Sequence, residues 1–170
     1  MNDLIILAIL LDGPQHGYAL KKRAGMVLNQ PELHNNIVYP LLSRFIAKGW
    51  VNKREMEGER GQTRQVYSLT ASGRQELVKR LSEFDDRQAH SESEFLLRVS
   101  LFSLLPAATK EHILNTRAAL LERRNQHLAL LQKSEKLAGF PAEVVSFNRS
   151  QVEAELQWVK KLSRLRTRKR

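Results

Sequence analysis

The chain has 170 residues, of which 42% are hydrophobic, 27% charged and 6% aromatic, with a formal net charge of +10. That length holds one ordinary domain, or a small domain with a helical element attached, and the apolar content argues against disorder. The absence of cysteine excludes disulfides, thiolate zinc sites and a thiol nucleophile, and agrees with a reducing, cytoplasmic setting.

The longest apolar run, Leu4 to Leu11, is shorter than the ~20 residues that cross a bilayer. It has no basic flank before it and no small-residue cleavage motif after it, so a soluble, non-exported protein is expected. Charge is unevenly spread. Residues 1–82 carry 12 Lys/Arg against 7 Asp/Glu, residues 83–159 carry 9 against 11, and the last eleven residues carry 7 basic residues and no acid. A basic head and tail around a near-neutral middle suggest a polyanion-binding head and a body with another task.

The first helix is predicted from about residue 3 to 11. Asp12-Gly13-Pro14 ends it, because Gly accepts a left-handed terminal conformation and Pro cannot continue. A second helix is expected over 17–28. Tyr18, Lys21 and Lys22 share one of its faces, and Leu20, Ala24 and Val27 lie opposite. A third, "NNIVYPLLSRFIAK", has an apolar stripe with Ser43 and Arg44 off it, Pro40 inside it, and Gly49 as a stop. With Asn36 as its cap, Pro40 would be the first residue whose N–H could close an intrahelical bond, so the loss would be a terminal one. The period then changes to two strands, Val51 to Glu57 and Thr63 to Leu69, around the glycine-bearing tip "EGERGQ". On the second strand Val66 and Ser68 should face one way, Tyr67 and Leu69 the other. Thr70 or Ser72 caps a fourth helix. The order α-α-α-β-β-α is that of a winged helix.

Beyond Glu83 the pattern is helical. One helix spans "SESEFLLRVSLFSLL" up to Pro106. Two long amphipathic helices follow, joined at "GFP". The first carries Leu114, Leu121 and Leu128 at heptad spacing; the second carries Val145, Val152 and Val159 with Leu156 beside them. Such a hairpin must pack on itself, on the head or on a second copy, and these seven residues are the expected dimer interface. The fold class is therefore mainly α: an N-terminal winged helix-turn-helix over 1–82 plus a C-terminal antiparallel long-helix dimerisation domain with a basic tail over 83–170.

Catalysis finds no support. The five histidines form no metal-ligand spacing, no nucleophile elbow or phosphate loop is present, and no cofactor is implied. Nucleic-acid recognition fits better, since the tip of a recognition helix reaches base edges while the preceding helix crosses the phosphates. Asn35 and Asn36 stand at that tip; either can pair with adenine or cap the helix. Tyr39 reaches a phosphate or packs on the hairpin. Arg60, Gln62 and Arg64 at the wing suit a minor groove, the alternative being a solvated turn. Lys21, Lys22 and Arg23 are read as phosphate contacts.

Three blocks, "ILAILLDGPQHGYAL", "VYPLLSRFIAKGWV" and "RQVYSLTASGRQEL", resemble the signatures of PadR-type winged-helix transcriptional regulators over about residues 4–77. The remainder is similar in architecture to the helical domain of the AphA-like virulence-activator branch. The resemblance implies a homodimer on a palindromic operator in double-stranded DNA, acting as a bacterial repressor. It places Tyr18, Asn35, Asn36, Tyr39 and Arg44 on or beside the DNA face and Arg60 to Arg64 in the wing. The opening "HNN" departs from the small residues usual there, so operator preference does not carry over. Phe45 and Trp50 replace the usual leucines, a packing change. Some members respond to planar hydrophobic effectors, for which Trp158 and Phe147 are candidates against a plain core role. The competing functions are a winged helix used for protein–protein contact, and an architectural nucleic-acid binder that works through the tail.

Overall fold

The computed structural model describes residues 1–27, 33–57, 63–133 and 137–167. The chain divides into two compact units, Met1–Glu83 and Phe84–Arg170.

In the first unit, α1 (Asn2–Ile9) is followed by a 3-10 turn (Leu10–Asp12), β1 (Gln15–His16), α2 (Gly17–Val27) and α3 (Asn35–Ala47). Next come β2 (Val51–Glu57), β3 (Thr63–Leu69) and α4 (Ala71–Ser82). Leu4, Ile5, Ile6, Leu7, Leu20, Val38, Leu42, Phe45, Leu77 and Leu81 fill the core, so the run that opens the sequence is a buried helix. Phe45 meets Trp50 at 5.7 Å between ring centroids, and the Trp50 ring lies between Lys48 and Arg80 at 4.6 and 4.9 Å. The aromatic pair thus fills its place by packing.

The sheet has one strand more than the sequence suggested. Its order is β1-β3-β2, all antiparallel, with Gln15 opposite Tyr67 and Val51 opposite Leu69. A two-residue strand leaves no period to detect. Its pairing makes β3 the central strand, and Val66 and Tyr67, on its two faces, are both buried. Residues 52–57 of β2, at the edge, are exposed.

The base of the hairpin is locked to α4. Thr70 is the N-cap, its hydroxyl accepting from the Gly73 N–H at 3.0 Å. The hydroxyls of Thr70 and Ser72 both donate to the Gly49 carbonyl, at 2.7 and 2.8 Å. Gly49 itself holds φ +70°, the left-handed stop expected of a glycine after a helix.

In the second unit a short α5 (Asp86–Ala89) precedes α6 (Glu92–Ser100), a 3-10 turn (Phe102–Leu104), α7 (Ala107–Gln132) and α8 (Phe140–Thr167). The single helix expected up to Pro106 therefore stops at Ser100. A capping box that joins Asp85 and Gln88 nucleates α5. The break before α8 is at Gly139; Pro141 lies inside the first turn, where its missing N–H costs little. Helices α7 and α8 run antiparallel, as the pairs Arg117–Glu155 and Arg149–Asn125 show.

The residues expected at the dimer interface are already covered within the chain. Leu114, Leu121, Leu128, Val152, Leu156 and Val159 are buried, and Val145 is half-buried. Their heptad stripes zip α7 onto α8. Beneath them Arg117, 4% exposed, holds Glu155 in a two-pronged pair at 2.7 and 2.8 Å and donates to the Ala89 carbonyl. Its guanidinium lies 5.3 Å from the Phe95 ring, which also meets Trp158 edge-on at 6.0 Å.

Candidate nucleic-acid interface

Helix α3 has two sharply different sides. Val38, Leu41, Leu42 and Phe45 are buried, whereas Asn35, Asn36, Tyr39, Pro40, Ser43, Arg44 and Ala47 are exposed. The exposed positions recur at three- and four-residue steps, so they form one stripe along the helix.

Neither asparagine caps the helix. The N-cap is His34, in extended conformation and with no side-chain cap bond. Its carbonyl accepts from the Ile37 and Val38 N–H groups at 3.0 and 3.2 Å. Asn35 and Asn36 are therefore the first two helical residues, exposed and pointing away from capping work. Pro40 lies two residues beyond the first intrahelical bond. It removes the bond that would have reached the Asn36 carbonyl, one turn inside the helix. The loss falls on the exposed stripe, where an outside donor can reach that carbonyl.

Tyr39 lies beside the hairpin strand β3, lining one cleft with Arg64, Gln65 and Tyr67. Its ring stands against Gly17, the first residue of α2: a Cβ at Gly17 would come within 3.0 Å of Tyr39 Cε1 and Oη. A side chain at that position would require the Tyr39 ring to shift by a few tenths of an ångström. Tyr39 remains 43% exposed and Tyr18 64%. Lys21 Nζ lies 5.9 Å from the Tyr18 ring, and Lys22 is exposed on the same helix. Arg23 is paired with Asp12 at the surface.

A cleft of about 500 Å³ opens between these elements, lined by His16, Gly17, Tyr18, Ala19, Tyr39, Arg64, Gln65 and Tyr67. Burial, together with the neighbouring Tyr39, pushes the Tyr67 phenol above its ordinary value of 10.0. The chain's three tyrosines thus meet in one place, which their scattered positions in the sequence do not reveal. Sequence reasoning found Tyr18, Tyr39 and Arg64 but missed His16, Gln65 and Tyr67. The signal available was the short segment before Tyr18, which pairs as a strand with the one that carries Tyr67. Arg60 and Gln62 lie outside the described residues.

In the second unit, Trp158 is engaged with Phe95 while Phe147 is 61% exposed. They stand eleven residues apart on α8. Among the described residues no cluster of His, Cys, Asp or Glu suits a metal ion, and no helix is long and apolar enough to cross a membrane.

Residues 6–79 match the Transcriptional regulator PadR-like family. No curated protein matches the chain. Among solved structures, it is similar to Bacillus subtilis PadR in complex with operator DNA, at 19% identity and TM-score 0.46, covering 96% of each chain. It is also similar to a transcriptional regulator from Clostridium thermocellum, at 23% identity and TM-score 0.42, covering 46% of this chain and 76% of that one. RosR of H. salinarum gives 28% identity and TM-score 0.41, with 47% and 68% covered.

Proposed function

We propose, from the match of residues 6–79 to the Transcriptional regulator PadR-like family, that the exposed stripe of α3 reads operator DNA in the major groove. The observation that carries this is the state of Asn35 and Asn36: exposed, at the first turn, and relieved of capping by His34. An amide there offers a donor and an acceptor together, the pattern that pairs with adenine. Tyr18, Lys21, Lys22, Tyr39 and Arg44 take the flanking phosphates and positions, and Arg64 leads into the wing, whose Arg60 and Gln62 enter the minor groove.

The protein acts as a homodimer on a palindromic site, in the cytoplasm, and represses by occupying the promoter. The surface that favours dimerisation is not the buried heptad stripe but the opposite side of α8. Phe140, Val144 and Phe147 are 89%, 58% and 61% exposed and follow at four- and three-residue steps. Leu130 and Leu131 of α7 are exposed as well, at 69% and 39%. A second copy is the simplest cover for so apolar a helix face. Phe140→Ser with Phe147→Ser should shift the protein toward monomer in sedimentation.

Duplexes selected from random sequence by the purified protein, followed by fluorescence anisotropy, test the reading. Asn35→Ala with Asn36→Ala should lower the ratio of selected to random duplex affinity by about tenfold or more. Affinity should also fall steeply with salt as neutralised phosphates release counterions. Undiminished selectivity in the double variant overturns the assignment.

A further inference from the structure

We infer that a groove of the second unit, between the end of α5 and the side of α7, binds a small phosphate monoester with an apolar body. His90, Arg117, Leu120, Leu121, Arg123 and Arg124 line it, and its volume is about 380 Å³, within the range of small-molecule sites. Four of the six are basic and none is acidic. Their charges are unequally answered. Arg117 is 4% exposed and held by Glu155 at 2.6 Å, so it forms the wall. Arg123 reaches Asp86 only at 3.8 Å, with the two side chains 59% and 73% exposed, and so open a pair contributes little. Arg124 is exposed and has no hydrogen-bond or ion-pair partner among the described residues. Glu122, the acid nearest in sequence, is taken by Lys160 at 3.2 Å. The groove therefore presents guanidinium groups that an anion from outside can claim.

His90 narrows the class of anion. Its Nδ1 lies 2.6 Å from the Asp86 carbonyl. A carbonyl only accepts, so that nitrogen carries its proton and Nε2 is left for a ligand. Nε2 accepts when the ring is neutral and donates when it is charged. A phosphate monoester passes between monoanion and dianion at about pH 6, so it can donate a P–O–H to the neutral ring or accept from the charged one. A carboxylate is ionised at neutral pH; it would meet the neutral ring lone pair against lone pair. The three terminal oxygens of a phosphate also serve two guanidinium forks and an imidazole, where a carboxylate has only two. Leu120, half-buried, and Leu121 place apolar surface beside these donors, so the group that the phosphate carries is apolar where it leaves the oxygen. The groove lies wholly within the second unit, and its assignment does not rest on the proposed DNA face.

The Arg117 Nε–H, buried and donated to Glu155 at 2.7 Å, gives a protected NMR signal in the wall of the groove. Phenyl phosphate titrated into the ¹⁵N-labelled full chain should shift it saturably, with Kd of about 1 mM or tighter. Benzoate and inorganic phosphate should each bind about tenfold more weakly. Arg124→Gln should weaken phenyl phosphate about tenfold, and Leu120→Gln should bring it down to the level of inorganic phosphate. The net charge of +10 attracts any anion, so Arg74→Gln is the control. Arg74 is exposed on α4 of the first unit, and its loss removes the same charge but should leave the affinity unchanged. No shift at about 10 mM phenyl phosphate overturns the proposal. So does benzoate or inorganic phosphate that binds as tightly as phenyl phosphate, or an equal loss in Arg74→Gln and Arg124→Gln. It is overturned too if Arg124→Gln weakens random duplex while phenyl phosphate leaves the Arg117 signal unmoved, which would assign the groove to a nucleic-acid backbone.

Discussion

Gly73→Ala separates the tertiary structure from local propensity, because the two predict opposite signs. Gly73 occupies the third position of α4, where replacing glycine with alanine ordinarily stabilises a helix by about 1 kcal/mol. In this fold a Cβ at that position would lie 2.1 Å from the Trp50 carbonyl oxygen and 2.8 Å from Leu69 Cδ1. The first of these must open by more than 1 Å to reach ordinary contact at 3.4 Å. The carbonyl cannot simply yield, since it accepts from the Thr70 N–H at 3.0 Å. Moving α4 outward instead stretches that bond and the two hydroxyl bonds to the Gly49 carbonyl, each worth about 1 kcal/mol. Overpacking adds about 1–3 kcal/mol. Set against the propensity gain, the net is a loss of about 3 kcal/mol, or roughly 15 °C in the melting of the first unit. Urea unfolding followed by circular dichroism measures it. A variant as stable as the parent, or more so, refutes the account of how the wing base is fixed to α4.

Three further outcomes follow from the same kind of reasoning. Glu155→Ala leaves the Arg117 guanidinium, 5% exposed, without its carboxylate, and should cost about 3 kcal/mol in urea unfolding; Arg117→Met should cost less, because it leaves Glu155, 22% exposed, able to regain water. The raised Tyr67 phenol means that the folded state holds its proton longer than the unfolded chain does. Its stabilisation is complete below about pH 10 and is lost as pH rises through the folded value, so Tyr67→Phe should flatten the alkaline limb of a stability–pH curve. Pro40→Ala restores an N–H to the Asn36 carbonyl and should raise the urea midpoint by the equivalent of about 1 kcal/mol.

Much of the first unit was legible because its signals are local. The apolar run Leu4 to Leu11, the change of period at Val51, and the Thr70 cap each depend on neighbours in sequence, and each element stands where those neighbours place it. The identity of α3 as the amphipathic helix with amides at its tip is of this kind too. The heptad stripes of α7 and α8 were equally plain, yet which surface they meet was not. A stripe states that it must be buried; it does not state by what. Packing between α7 and α8 answers that, and it leaves Phe140, Val144 and Phe147 of α8 exposed.

The rest depended on tertiary structure. His34 displaced the asparagines as the N-cap because it is the last extended residue before α3, and its neighbour Leu33 is tied to α2 by its N–H to the Lys21 carbonyl at 3.4 Å. Two residues of β1 became a strand only because β3 lay beside them, and that pairing brings His16 next to the segment that carries Gln65 and Tyr67. The sequence by itself determined that this chain has a basic winged-helix head with an amide-tipped α3 and a long helical hairpin, since periodicity and capping chemistry are written residue by residue. Only the three-dimensional fold decided that the chain's three tyrosines meet in one cleft, because residues far apart in the chain become neighbours only through packing.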